Sequence, residues 1–195
     1  MKTEWMSTED EDTLEKARRI IRAGGVVAFP TDTVYGMGAE FTNAGAVLKL
    51  YTAKRRPEDR AIPILVADEQ MLSLVTTGMS KFAWKLAEAF WPGPLTLVVP
   101  RHPDIPDALS IYPTVAVRVP DLDFTCSLLE ACGPLAVTSA NLSCCRSPRT
   151  VQEVQEDLSG RVDLILDGGS TPGGYSFNGR GVQRPAACAA GRSHF

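Results

Sequence analysis

Phe29-Pro30-Thr31-Asp32-Thr33-Val34-Tyr35-Gly36 decides the fold, because the apolar run Val26-Val27-Ala28-Phe29, bounded upstream by Gly24-Gly25, ends there in a hydroxyl-rich turn. The run is short and β-branched, so it reads as a buried strand that delivers two threonines to a strand end. In open α/β sheets ligands sit at strand ends. Further on, Lys54-Arg55-Arg56-Pro57 follows a helical stretch, and Thr138-Ser139-Ala140-Asn141 follows another apolar run. Three polar clusters at element ends suggest one site.

Upstream of the turn, Leu14, Ala17, Ile20 and Ile21 recur at helical spacing over 13–23, and Gly24-Gly25 can supply the left-handed residue that closes a helix. Downstream, Ala46, Val47, Leu50 and Tyr51 share one face of a helix predicted over 44–53, with Lys54 at its C-terminal end, where the helix dipole favours a cation. Strands are predicted over 62–66, 95–99, 115–119, 135–138 and 162–166, and helices over 69–75, 80–90, 123–131 and 150–158. The helix over 80–90 is expected to turn Phe82, Leu86, Ala89 and Phe90 inward, and the one over 150–158 to open on Thr150 with Glu153 three places on. Tyr35-Gly36-Met37-Gly38 reads as a flexible glycine segment, not a Walker A loop, which needs Gly-Lys-Ser/Thr after its glycines. The alternation of elements, with a long proline-rich loop over 100–113 that carries no helix, predicts an α/β or α+β fold on a mixed sheet.

A chain of 195 residues, 44% of them apolar, suits one domain with a full-sized core. Its formal net charge of −3 argues against a surface that is wholly a nucleic-acid footprint and leaves room for a local basic groove. No apolar stretch is long enough to span a membrane, and residues 1–12 read as an acidic tail unlike a signal peptide, so the expected setting is cytoplasmic. Five cysteines without a paired C-x-x-C pattern suit reduced thiols. Only His102 and His194 are present, which makes both a Ser/His/Asp hydrolase and a histidine-built metal centre poor fits. Positioning and charge stabilisation remain as means of catalysis, and phosphate-transfer chemistry permits them.

Each candidate residue carries two readings. Lys54 and Arg56 are either a solvated helix end or a polyphosphate clamp, a mobile point charge beside a planar fork. Thr31 and Thr33 either cap backbone groups in their turn or offer hydroxyls to a small polar ligand. Arg118, a lone cation in Val115-Ala116-Val117-Arg118-Val119, either faces solvent or grips a carboxylate. Ser139 and Asn141, with Ser147 beyond, are either loop and cap residues or nucleotide contacts.

Taken together, Pro30-Thr31-Asp32-Thr33-Val34-Tyr35-Gly36, Lys54-x-Arg56-Pro57, Trp91-Pro92-Gly93-Pro94-Leu95-Thr96, Thr114-Val115-Ala116-Val117-Arg118 and Ser139-Ala140-Asn141 resemble, in order and spacing over 13–169, the YrdC-like family of threonylcarbamoyl-AMP synthases. The resemblance implies a twisted mixed sheet flanked by helices around a large basic cavity. It implies a nucleotidyltransferase that joins L-threonine, bicarbonate and ATP into threonylcarbamoyl-AMP with release of pyrophosphate, Mg2+ accompanying ATP. The product serves N6-threonylcarbamoyladenosine modification of tRNA through a downstream threonylcarbamoyl transferase. Position by position, Lys54 and Arg56 would hold the triphosphate and carry catalysis. Thr114, Ser139, Asn141 and Ser147 would serve the nucleotide, and Thr31, Arg118 and the Val137 backbone would contact threonine. No residue is assigned as a metal ligand.

The stretch over 170–195 departs from the family. Gly173-Gly174-Tyr175-Ser176-Phe177-Asn178-Gly179 stands where the family reads Gly-x-x-Ser-Thr-Val-Val-Asp, and codons for Pro-Ser-Thr-Val read one base out of frame yield x-Phe-Asn-Gly, so the tail from about Tyr175 reads as a frameshifted product. Ser176 is the nearest equivalent of the family's serine, and an impaired synthase is one consequence. Two other readings compete: a non-catalytic RNA-binding or ribosome-associated module that contacts tRNA or double-stranded RNA, and a carbamoyl-transfer module of the hydrogenase-maturation type. The second is disfavoured for want of acylphosphatase and zinc-finger neighbours.

Overall fold

Strands apolar at every position, such as Val27–Phe29, must be covered on both faces, and helices on each side do this here. The computed structural model describes residues 2–57 and 60–173. In chain order the elements are β1 (Glu4–Ser7), α1 (Thr13–Arg22), β2 (Val27–Phe29), β3 (Gly36–Glu40), α2 (Ala44–Lys54), β4 (Ile64–Leu65), a 3-10 turn (Gln70–Leu74), α3 (Lys81–Phe90), β5 (Leu97–Pro100), β6 (Thr114–Arg118), α4 (Asp123–Cys132), β7 (Leu135–Ser139), α5 (Val151–Leu158) and β8 (Leu164–Asp167). They form one eight-stranded mixed sheet in the order β1-β8-β2-β3-β7-β4-β6-β5. Val27, Phe29, Leu135, Val137, Leu164 and Leu166 pack with Ala17 and Ile21 of α1 and Leu128 and Leu129 of α4. Their neighbours Ala28, Ala136 and Ile165 pack the other way, with Val47 and Leu50 of α2 and Val154 of α5.

Helix ends follow the local chemistry. Asn43 Oδ1 accepts from Ala46 N at 3.1 Å and Ser80 Oγ from Ala83 N at 3.1 Å. Thr150 and Glu153 form the expected capping box, each side chain accepting from the other's backbone amide. Among the described residues no helix is long and apolar enough to cross a membrane.

Three expectations are corrected. Residues 4–7, read as part of an acidic tail, form β1, which pairs in parallel with β8 at the sheet edge. Gly36 and Gly38, read as flexible, lie inside β3: a Cβ on Gly36 would stand 2.8 Å from Val137 Cγ1, and one on Gly38 2.9 Å from Phe29 Cε1, so the glycines admit large neighbours. The inward face of α3 is also different. Phe82 is 71% exposed and Phe90 55% exposed, and Ala89 is exposed as well, while Ala87 is buried and Trp84 and Leu86 pack beside it. Leu86 packs as expected, but the face that joins the core is the one of Trp84 and Ala87. The reading of the tail from Tyr175, Ser176 included, falls outside the described residues.

Gly38→Val is expected to lower the unfolding free energy in urea by about 1–3 kcal/mol through overpacking against Phe29 and Val137. Gly45→Ala, on the exposed side of α2, is expected to be neutral or to stabilise by up to about 1 kcal/mol.

Candidate functional site

Strand register sorts the polar residues by height in the sheet. Ile64 pairs with both Val117 and Ala136, β6 and β7 run in opposite directions, and so Thr114 and Ser139 stand level at one end while Arg118 stands level with Leu135 at the other. Arg118 nevertheless meets the turn after β2. That turn folds back over the sheet face on which Val137 fills the space left by Gly36, with the Thr31 methyl alongside.

The first cluster is built on that turn. Thr31 Oγ1 donates to Val34 O at 2.7 Å and accepts from Thr33 N at 3.2 Å and Val34 N at 3.3 Å, the capping role allowed for it. Its hydroxyl also lies 3.1 Å from Thr33 Oγ1. Arg118 does not face solvent. Its Nε donates to Gly93 O at 2.9 Å, Nη1 to Thr33 Oγ1 at 3.2 Å, and Nη2 to Asp32 Oδ1 in an ion pair whose side chains are only 13% and 11% exposed. The turn Trp91-Pro92-Gly93-Pro94 is docked for this purpose, with Gly93 N donating to Val119 O at 2.9 Å and Trp91 Nε1 to Leu95 O at 2.7 Å.

The second cluster joins the end of α2 to the end of β7. Lys54 is buried, and its Nζ is surrounded by Ser139 O at 2.7 Å, Ser139 Oγ at 3.0 Å, Asn141 O at 2.8 Å and Asn141 Oδ1 at 2.9 Å. Burial, then the nearby Arg56 charge, pushes the Lys54 ammonium down to about 7, against opposing pulls from Asp157 and the Cys145 and Cys144 thiols. Asn141 also donates from Nδ2 to Leu142 O and Cys145 O, both at 2.8 Å, so it orders the loop beyond β7. Arg55 closes α2 in the left-handed conformation (φ 51°), which directs Arg56 Nη2 to Ala61 O at 3.1 Å and Nε to Arg60 O at 3.2 Å.

Backbone bonds hold the two clusters side by side. Ala140 N donates to Tyr35 O at 2.8 Å and Tyr35 N to Pro148 O at 2.9 Å. The Tyr35 hydroxyl accepts from Gly168 N at 3.2 Å and donates to Gly169 O at 2.7 Å, while Gly173 N donates to Thr33 O at 2.7 Å. Thr31, Thr33 and Arg118 are thus brought together, as are Lys54, Ser139 and Asn141. Thr114 shares the sheet end with Ser139, and Val137 N is committed to Pro63 O at 2.9 Å. Ser147 lies one residue before Pro148 in the segment bonded to Tyr35.

Two residues of this arrangement escaped the sequence reading, Asp32 and Gly93. Both sit inside motifs quoted above, and their common partner Arg118 is remote in sequence from each. Among the described residues no group of three or more His, Cys, Asp or Glu side chains stands together as a metal-ligand set.

Residues 19–176 match the Sua5_yciO_yrdC family model, described as Telomere recombination. A Bacillus subtilis protein named threonylcarbamoyl-AMP synthase is 42% identical over 87% of this chain and 49% of its own, and a Vibrio vulnificus protein of the same name is 37% identical over 80% and 86%. The structure superposes on that of P. abyssi Sua5 complexed with L-threonine with a TM-score of 0.81 at 38% identity, covering 87% of this chain and 50% of that one. The chain therefore spans about half the length of the Bacillus and P. abyssi relatives.

Since Lys54 loses its proton in the folded chain near 7 and in the unfolded chain near 10.5, the unfolded state holds more protons between those values. Stability attributable to Lys54 must then rise with pH across that window. Urea titrations of wild type and Lys54→Met at pH 7 and pH 9.5 are expected to show the difference moving in favour of wild type at the higher pH.

Proposed function

The chain belongs to the Sua5/YciO/YrdC family, and from that membership we propose that it makes threonylcarbamoyl-AMP and pyrophosphate from ATP, L-threonine and bicarbonate. The observation that carries this reading is the guanidinium of Arg118, preset beside the Thr31 and Thr33 turn, whose Tyr35 end is bonded to Ala140 beyond the Lys54–Ser139 junction.

Arg118 has five N–H donors, of which three are engaged; the remaining two, one on each Nη, receive the threonine carboxylate. Thr31 and the Val137 backbone line the same subsite. The threonine ammonium first gives up a proton to solvent, and the neutral amine adds to CO2 derived from bicarbonate; counted from the zwitterion and bicarbonate, the step gives a carbamate, one water and one released proton. A carbamate oxygen then attacks the α-phosphorus of ATP, and the bond to the pyrophosphate oxygen breaks. Lys54 and Arg56 hold the triphosphate and take up the charge that grows on the leaving group. For Lys54 this requires exchange, because its three N–H groups already face four oxygens, and a phosphate oxygen replaces one of them. Thr114, Ser139 and Ser147 serve the nucleotide, with Asn141 fixing the loop between the last two. A Mg2+ ion accompanying ATP would be held by phosphate oxygens and water and would supply charge neutralisation at the pyrophosphate.

The product passes, in a cytoplasmic setting, to a threonylcarbamoyl transferase that modifies tRNA. The RNA-binding alternative has no specific observation in its favour.

Pyrophosphate release is expected to require ATP, threonine and bicarbonate together. Lys54→Ala and Arg56→Ala are expected to lower kcat/KM for ATP by roughly a hundredfold or more, and Arg118→Lys to raise KM for threonine by about tenfold, since a lysine cannot reproduce the fork. Equal rates in all four proteins would dispose of the assignment.

A further inference from the structure

The guanidinium that would receive a carboxylate already has one beside it. Asp32 Oδ1 accepts from Arg118 Nη2, and among the described residues Asp32 Oδ2 meets no donor. Among the described residues no fully buried side-chain oxygen or nitrogen lacks a partner, so Oδ2 keeps an open side. The net charge of the Arg118–Asp32 pair is near zero. A ligand that brings only negative charge gains little from Arg118, since Asp32 opposes it at almost the same distance. A ligand with a carboxylate and an ammonium on adjacent atoms can satisfy both halves at once, with the carboxylate on the free Nη hydrogens and the ammonium on Oδ2.

We propose that Asp32 is a specificity-determining residue that, with Arg118, forms a receptor for the zwitterion of an α-amino acid. The inference rests on the reading that threonine binds at Arg118. It supplies what that reading lacks: a reason why the anionic tail of ATP and released pyrophosphate do not settle on the adjacent arginine. With Asp32 ionised, the Lys54–Arg56 cluster is the better phosphate site and the Arg118 pair is left for the amino acid.

The test uses isothermal titration of wild type and Asp32→Asn with L-threonine, with 3-hydroxybutyrate, which is threonine without its amine, and with pyrophosphate. Wild type is expected to bind 3-hydroxybutyrate about tenfold or more weaker than threonine, and Asp32→Asn to shrink that ratio by about tenfold or more, since only the variant lacks the charge that the ammonium meets. Pyrophosphate is expected to bind Asp32→Asn more tightly and, in that variant, to compete with 3-hydroxybutyrate. An unchanged ratio overturns the proposal. Should Asp32→Asn fail to fold, wild type alone decides: 3-hydroxybutyrate bound within about threefold of threonine overturns it, and a wider gap supports it. If wild type binds no threonine at all, the reading of the function fails and this inference with it; if wild type binds threonine and the ratios do not move, only the inference fails.

Discussion

An ammonium ion buried, among the described residues, without a salt-bridged carboxylate is the constraint on which the polar end of this molecule depends. Removing Lys54 from water is costly, and four uncharged oxygens from Ser139 and Asn141 offset that cost. To do so they must converge on one point, which fixes the end of β7, the start of the loop after it, and the last turn of α2 relative to one another. The bond from Ser143 N to Lys54 O at 2.8 Å closes the same junction from the backbone side. The hydroxyl and amide groups that surround the lysine therefore serve the fold first. Any role with a ligand has to be compatible with the arrangement that keeps the charge satisfied.

Much of this was legible in the chain because the signals were local. Helices α1 and α2 follow from apolar spacing, and the start of α5 from a threonine and a glutamate three residues apart. The strand Val27–Phe29 follows from a β-branched run between glycines. What escaped depends on neighbours distant in sequence. Gly36 and Gly38 look like breakers until Phe29 and Val137 are seen filling the space above them. The two faces of α3 are equally periodic, and only packing against the assembled core chooses between them. Residues 4–7 become a strand because β8 offers an unpaired edge. Asp32 and Gly93 could be quoted within motifs, yet nothing near them in the sequence announces that both hold Arg118.

The two polar clusters divide the electrostatic work differently. Around Lys54 the hydrogen-bonded oxygens are uncharged and the Arg56 charge lies nearby, so the region retains attraction for an anion. Around Arg118 the positive charge is matched at once by Asp32 and held in a fixed plane by Gly93 and Thr33. A guanidinium restrained at three of its donors loses little freedom on meeting a ligand, and this pre-organisation favours selectivity over raw attraction.

The clasp made by the Tyr35 hydroxyl on Gly168 and Gly169, followed by the Gly173 amide on Thr33, bears on how the outgoing polypeptide is wired to the rest. The main chain departs from β8 stitched to the shoulder of the Thr31–Val34 turn. The Tyr35 ring is itself part of the hydrophobic interior, whereas a change at Gly173 tugs directly on Thr33 beneath it. A fluorophore attached at the exposed position 172 between Thr171 and Gly173 would accordingly sense occupancy of the turn more than the integrity of the sheet, which makes this exit a natural place to read the molecule's working state.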